Sequence, residues 1–294
     1  MVYGSMQSRV TNPISITVAP LARLIGKRFY DLPGNLEVMT RLWCESVVDG
    51  FEFQNTAEWD AETPPRDEGA HRLAYWKDSA KYTIDEIADA LVEAGLPVLS
   101  VHANRDVGIL LCSDQPQDID RGRRLIHGSL SLSERVGAGV CVFHLWDTWA
   151  EAFDPGFLRQ VLDEIAPLYP GVKAAVENVP THLVGYTPFD LVRGFEWITL
   201  DWRWAALYDE WERFGSLVEC IVDVHLHGQV QGERWVLDPG WALSRRLDFY
   251  EALDVMCSGW GYGGVLTVER VPRDVAWPAY VAAIASLRGR VEDR

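Results

Sequence analysis

Ile221-Val-Asp-Val-His-Leu-His227 is the stretch whose reading decides the fold. Ile221, Val222, Val224 and Leu226 are apolar and mostly β-branched, which predicts a short buried strand. His225 and His227 close it. They are expected on opposite faces, with His225 turned into the fold and His227 in a supporting position. An imidazole at the end of a buried strand needs a partner, and similar endings recur along the chain.

Moving back from this strand, residues 197–201 end on Asp201, 172–177 on Glu177, 139–144 on His144 and 96–102 on His102. Residues 47–53 and 14–18 give two earlier strands. Moving forward, residues 264–269 end on Glu269. Helical patterns separate them. Thr83 and Glu86 form a capping box ahead of Ile84, Ile87, Ala88, Leu91 and Val92. Asp154-Pro155 starts a helix with Phe157, Leu158, Val161, Leu162 and Ile165 on one face. Further helices are expected over residues 36–43, 119–136, 188–193, 204–214, 241–257 and 279–287.

Eight strands alternating with helices predict an α/β fold, a (β/α)8 TIM barrel, as one domain over residues 1–294. Residues 1–12 are expected as a disordered tail, and 60–69, with Pro64-Pro65, as an excursion over one end. A doubly wound sheet needs a glycine-rich phosphate turn after its first strand, and Pro20-Leu-Ala-Arg-Leu-Ile-Gly26 is not one.

Composition narrows the classes. Hydrophobic content of 48% with 24% charge fits a globular chain with a sizeable core. A net charge of −16 disfavours a nucleic-acid partner, because phosphate binding draws on clustered Lys and Arg. The five cysteines lack a CxxC spacing and read as reduced thiols. Residues 1–10 show no signal-peptide core, and no apolar run reaches a membrane span. A cytoplasmic protein acting on a small molecule is expected, with no membrane partner; its oligomeric state stays open, a homo-oligomer included.

In a parallel barrel every strand end opens on the same face. His102, His144, Glu177, Asp201, His225 and Glu269 should therefore converge. Three imidazoles and three carboxylates are the ligand set of Zn, Mn, Co, Fe or Mg. Without a cation, carboxylates so crowded would repel and one would be driven to take a proton. Taken singly, each has an ordinary explanation: a strand-end His satisfied by hydrogen bonds, a strand-end Asp capping a helix.

The set Val101-His102, Phe143-His144, Val176-Glu177-Asn178, Leu200-Asp201, Val224-His225-Leu226 and Val268-Glu269 resembles the xylose isomerase-like TIM barrel superfamily. That group includes sugar isomerases and epimerases and endonuclease IV-type enzymes. The resemblance implies a divalent metal on Glu177, Asp201, His225 and Glu269, with Glu177 and Glu269 as catalytic proton carriers. It also implies a second metal on His102, His144 and Glu177 in the endonuclease-like members. Two departures stand out. The D-x-x-H of those members is here Asp201-Trp-Arg-Trp204, and their D-x-H is matched by Glu233-Arg234-Trp235. Indole offers a metal no lone pair, so no third metal is expected. Val224-His-Leu-His-Gly228 also resembles the corrinoid-remodelling phosphodiesterases of the superfamily.

Three functions follow. The first is a sugar or polyol (phosphate) isomerase or epimerase. The second is a binuclear phosphodiesterase or other hydrolase on a small molecule. The third is a non-catalytic binder, suggested by the lost histidines and by thirteen tryptophans. Trp146, Trp149, Trp202, Trp204 and Trp235 are expected near the barrel mouth as an aromatic wall. Arg105, Arg203 and Arg234 are expected to clamp an anionic group, with His227 beside them.

Overall fold

The strands are short because each has only to cross a barrel wall. The computed structural model describes residues 12–56, 59–60, 81–269 and 275–294. Its strands in chain order are β1 (Ile14–Thr17), β2 (Gly50–Gln54), β3 (Val98–His102), β4 (Val140–Phe143), β5 (Lys173–Glu177), β6 (Ile198–Asp201) and β7 (Ile221–Leu226). A two-stranded hairpin follows, β8 (Gln229–Gln231) and β9 (Arg234–Val236), and then β10 (Val265–Val268). β1 to β7 and β10 pair in parallel and close into an eight-stranded barrel, with Ile14 opposite Leu266 at the seam. The hairpin is antiparallel and turns at Gly232, whose φ of +64° needs a residue without a Cβ.

The helices in chain order are α1 (Leu32–Cys44), α2 (Ile84–Ala94), α3 (Asp106–Leu111), α4 (Pro116–Val136), α5 (Pro155–Ile165), α6 (Pro188–Val192), α7 (Trp202–Leu207), α8 (Phe249–Asp254) and α9 (Trp277–Glu292). The capping box at Thr83 and Glu86 forms as expected, and Gly95 closes α2 in the left-handed region.

Two helical expectations are corrected. Residues 204–214 are not one helix. α7 starts two residues earlier, because the Asp201 side chain accepts from the Arg203 and Trp204 amides, and Asp209 breaks it at a φ of +54°. Residues 241–257 are not one helix either. Asp248 and Glu251 form a capping box that opens a fresh helix, which passes into a π turn at Val255–Gly259. The expected tail over residues 1–11 and most of the excursion over 60–69 lie outside the described residues. Asn12 is buried, its side chain donating to the Tyr262 and Gly264 carbonyls, so the tail does not extend to it.

Outward-facing Ile16, Phe51, Phe53, Val101, Cys141, Val176, Leu200, Val224 and Leu266 pack beneath the helices in one core. Beside a small apolar cluster that includes Val140, Val142 and Ala175, much of the barrel interior is polar. Ser15, Thr17, Glu52, Ser100, Thr199, Asp223 and Thr267 are all buried where such barrels usually carry branched aliphatics. Thr17 donates to Glu52 at 2.9 Å, Ser100 to Glu52 at 3.1 Å and Thr267 to Asp223 at 2.8 Å. A hydroxyl-lined well thus sits beneath the C-terminal mouth, and its buried carboxylates need partners above them.

Among the described residues, no helix is long and apolar enough to cross a membrane.

Candidate metal centre

Six strands bring residues at or just past their C-terminal ends to one rim. Glu177 is the hub: its Oε2 lies 3.3 Å from His102 Nε2, 2.9 Å from His144 Nε2 and 3.7 Å from His225 Nδ1. His225 Nδ1 is also 3.8 Å from Glu269 Oε2. Asp201 divides its oxygens, Oδ1 capping α7 and Oδ2 lying 3.0 Å from His227 Nε2. The helix-cap explanation and the ligand explanation for Asp201 therefore both hold, one oxygen each. All six donors expected at the rim are together.

His227 corrects the expectation that it faces away from His225. Residues two apart on a strand share a face, so both imidazoles point inward. His227 Nε2 bonds Glu269 as well as Asp201. His227 is thus a seventh donor at the rim.

Sequence reasoning missed Glu52. Fully buried on β2, it accepts from His225 Nε2 at 3.0 Å. That bond fixes the ring and aims Nδ1 at Glu177 and Glu269. The signal was present in Phe51-Glu52-Phe53. Both faces of a parallel barrel strand are covered, so a charge between two core phenylalanines has only the barrel interior to face.

The electrostatics follow from this crowding. Burial lowers the His102 and His227 pKa values, but the surrounding carboxylates outweigh it and raise them to about 9 and about 10. His225 is likewise raised, by Glu52 and Glu177 against its burial. Burial raises Glu269, yet His227 and His225 bring it down to about 2. Glu177 also ends well below the usual range, because His144, His225 and His102 overcome its burial. Asp201 goes the other way: burial, with Glu269 and Glu177 nearby, raises it despite His227. Deeper in the well, Asp223 is raised to about 7 by burial and by Glu52.

A divalent cation fits this donor set. His225 Nδ1 is buried and has no hydrogen-bond partner among the described residues, although two carboxylates lie within 4 Å. A buried nitrogen left so is costly unless its lone pair is used. Three donor groups could share an ion: His102, Glu177 and His225; Asp201, His225 and Glu269; and Glu52, Asp223 and His225.

The rim opens into a cavity of about 600 Å³ lined by Arg23, Phe29, Arg203, His227, Trp241 and Glu269. A lobe of about 140 Å³ continues past His102, Arg105 and His144. Gln54 and Glu269 line both.

Several expected substrate contacts lie elsewhere. Trp146 is buried and donates to the Pro180 carbonyl at 2.9 Å, and Gly108 of α3 packs so closely on its backbone that a Cβ would meet Trp146 O at 2.3 Å. Trp202 is fully buried. Trp235 is 2% exposed, donates to the Ala283 carbonyl at 3.0 Å and packs on Phe249 and Tyr280. Arg234 stacks on Tyr250 in a separate cleft behind the hairpin. Trp149 is exposed and stacks on His182. Trp204 is half-buried beneath the Arg203 guanidinium. Among the described residues, the aromatic side chains lining the two lobes are Phe29, Tyr30 and Trp241. Trp235→Ala should therefore cost about 3–5 kcal/mol of stability in denaturant unfolding, as for a large core aromatic. A substrate-wall residue would instead raise KM and leave the unfolding midpoint in place.

No family model and no curated protein matches the chain. Solved structures do. An L-ribulose 3-epimerase superposes with a TM-score of 0.65 at 16% identity, over 96% of this chain and 95% of that one. A sugar phosphate isomerase/epimerase from Parabacteroides distasonis gives 0.60 at 11% identity, over 99% and 98%. Endonuclease IV from Thermus thermophilus gives 0.52 at 16% identity, over 96% and 100%. With its closed parallel strand order, the chain has the (β/α)8 barrel fold of these structures.

Proposed function

We propose that this chain is a divalent-metal-dependent isomerase or epimerase of a small sugar or polyol, working by proton transfer at a carbon beside a carbonyl. The observation that carries the reading is the buried His225 Nδ1, which has no hydrogen-bond partner among the described residues and lies within 4 Å of Glu177 and of Glu269, the latter lining an open cavity. Several of the similar structures are named as sugar epimerases, which supports the same choice.

Glu177, Asp201, His225 and Glu269 would hold the ion, with His227 Nε2 beside Asp201 and Glu269 as a further donor. When bound, a divalent ion acts as a Lewis acid that polarises a carbonyl. Glu269 is the carboxylate that borders both lobes, which suits it to take a proton from substrate. Glu177 is covered by His102 and His144, and His144 borders the smaller lobe. On that side the proton is carried by the Glu177–His144 pair. Gln54, between the lobes, can bond a substrate hydroxyl and fix which carbon lies over Glu269.

A second reading keeps one specific support. His102, His144 and Glu177 form a contiguous donor group that shares Glu177 with the first. Two ions bridged there would suit hydrolysis of a phosphodiester. Metal analysis separates the two. One equivalent, lost on Glu269→Gln and kept on His144→Ala, is the expected result. Two equivalents, with one lost on His144→Ala, would move the assignment to a hydrolase.

A further inference from the structure

We propose that the substrate carries a phosphate or carboxylate at the end remote from the reacting carbon, and that Arg203 binds it, with Arg23 in the same cavity. This rests on the isomerase or epimerase reading only for the position of the reacting carbon at Glu269.

Arg203 is the second residue of α7, and its amide donates to Asp201 Oδ1 at 2.6 Å. The same carboxylate belongs to the candidate metal centre, so the backbone that carries the guanidinium is hydrogen-bonded to that site. Its face lies over the Trp204 ring at 4.3 Å. Stacking occupies the face of a guanidinium and leaves the N–H donors around its edge, the arrangement that suits a bidentate anion.

The charge distribution points the same way. The chain has 43 acidic and 27 basic residues, so carboxylates to pair with arginine are plentiful. Arg41, Arg123, Arg135, Arg213, Arg246 and Arg290 each pair with one. Among the described residues Arg203 has no carboxylate partner, and it lines the larger cavity together with Arg23 and Glu269. Arg23 is stacked too, over Phe29 at 4.3 Å. Asp238 shares the cavity, but its carboxylate is engaged by Gln229 Nε2 at 3.2 Å and the Gly240 amide at 2.9 Å. Trp204, which stands where the resembled endonuclease-like members carry a histidine, thus serves here as a platform for the guanidinium.

Calorimetric titration of the metal-loaded protein tests this with D-fructose 6-phosphate, D-fructose and D-glucuronate as probes. A charge-assisted bond of this kind is expected to make the phosphate ester bind about tenfold to a hundredfold tighter than the neutral sugar. Arg203→Met should abolish that ratio, Arg203→Lys should keep part of it, and all three proteins should share one melting temperature. Tighter binding of glucuronate than of the phosphate ester would select a carboxylate as the anion. Equal binding of charged and neutral probes by the wild type, or a preference that survives Arg203→Met because the ion alone causes it, overturns the proposal. Hydrogen exchange at the carbon next to the carbonyl is read in parallel. Anion preference without exchange keeps the clamp and rejects the isomerase reading, and exchange without anion preference does the reverse.

Discussion

Glu177→Gln is expected to reduce turnover by about a thousandfold and to release the bound ion. Glu177 Oε2 faces three imidazoles, those of His102, His144 and His225, all within 4 Å. A neutral amide keeps the shape and removes the charge that compensates them. Removing one partner of a buried charged set costs about 3–5 kcal/mol, which is a factor of about 10² to 10⁴ in binding or rate. The variant should also bring the His102 pKa, held at about 9 largely by Glu177 and Glu52, back towards the ordinary histidine range. Turnover, metal content and a proton NMR titration of the imidazoles check it. A variant that keeps its ion and works within tenfold of the wild type would show that Glu177 is not the hub.

Metal affinity should rise steeply with pH. An ion binds neutral imidazole, whereas in the metal-free protein His227 is raised to about 10 and His225 is raised as well. Below those values each imidazole ligand must give up a proton on binding, and each proton contributes about tenfold in affinity per pH unit. Glu269, at about 2, and Glu177 are already ionised and add no slope. The dissociation constant for Mn²⁺ is thus expected to fall by one to two decades per unit between pH 6 and 9.

The sign for the metal-free fold is opposite. Histidines whose pKa is raised on folding contribute stability that is complete below the unfolded value near 6.5 and disappears as pH climbs through about 9 to 10. Metal-free protein should lose stability progressively between about pH 6.5 and 10, and metal-loaded protein should not. Mn²⁺ affinity independent of pH would rule out imidazole ligation.

The barrel was legible because its strands are written as apolar runs that each stop on a donor, from His102 to Glu269. The alternation with capped helices left little else for 294 residues to form. The donor set at the mouth was legible for the same reason, since strand ends in a closed parallel barrel share one rim. Glu52 was not, because attention to strand ends overlooks a charge in mid-strand. His227 differs from the expected outward position because residues two apart on a strand share a face, which turns it inward with His225. The aromatic wall was misassigned on physical grounds. An indole written near a strand end can turn outward under the helices, as Trp146 and Trp235 do, and its single N–H is as well satisfied by a carbonyl there as by a ligand. Phe29 and Trp241 lie in loops, where the sequence pattern gives no direction for a side chain.

One cation is expected to join the strand ends of β5, β6, β7 and β10. Anomalous diffraction at the manganese edge, from crystals of protein loaded with Mn²⁺ at pH 8, tests it most directly. The predicted result is a peak about 2.0–2.3 Å from oxygens of Glu177, Asp201 and Glu269 and from a ring nitrogen of His225 or His227. A peak confined to surface carboxylates, or none within reach of Asp201 and Glu269, would contradict it.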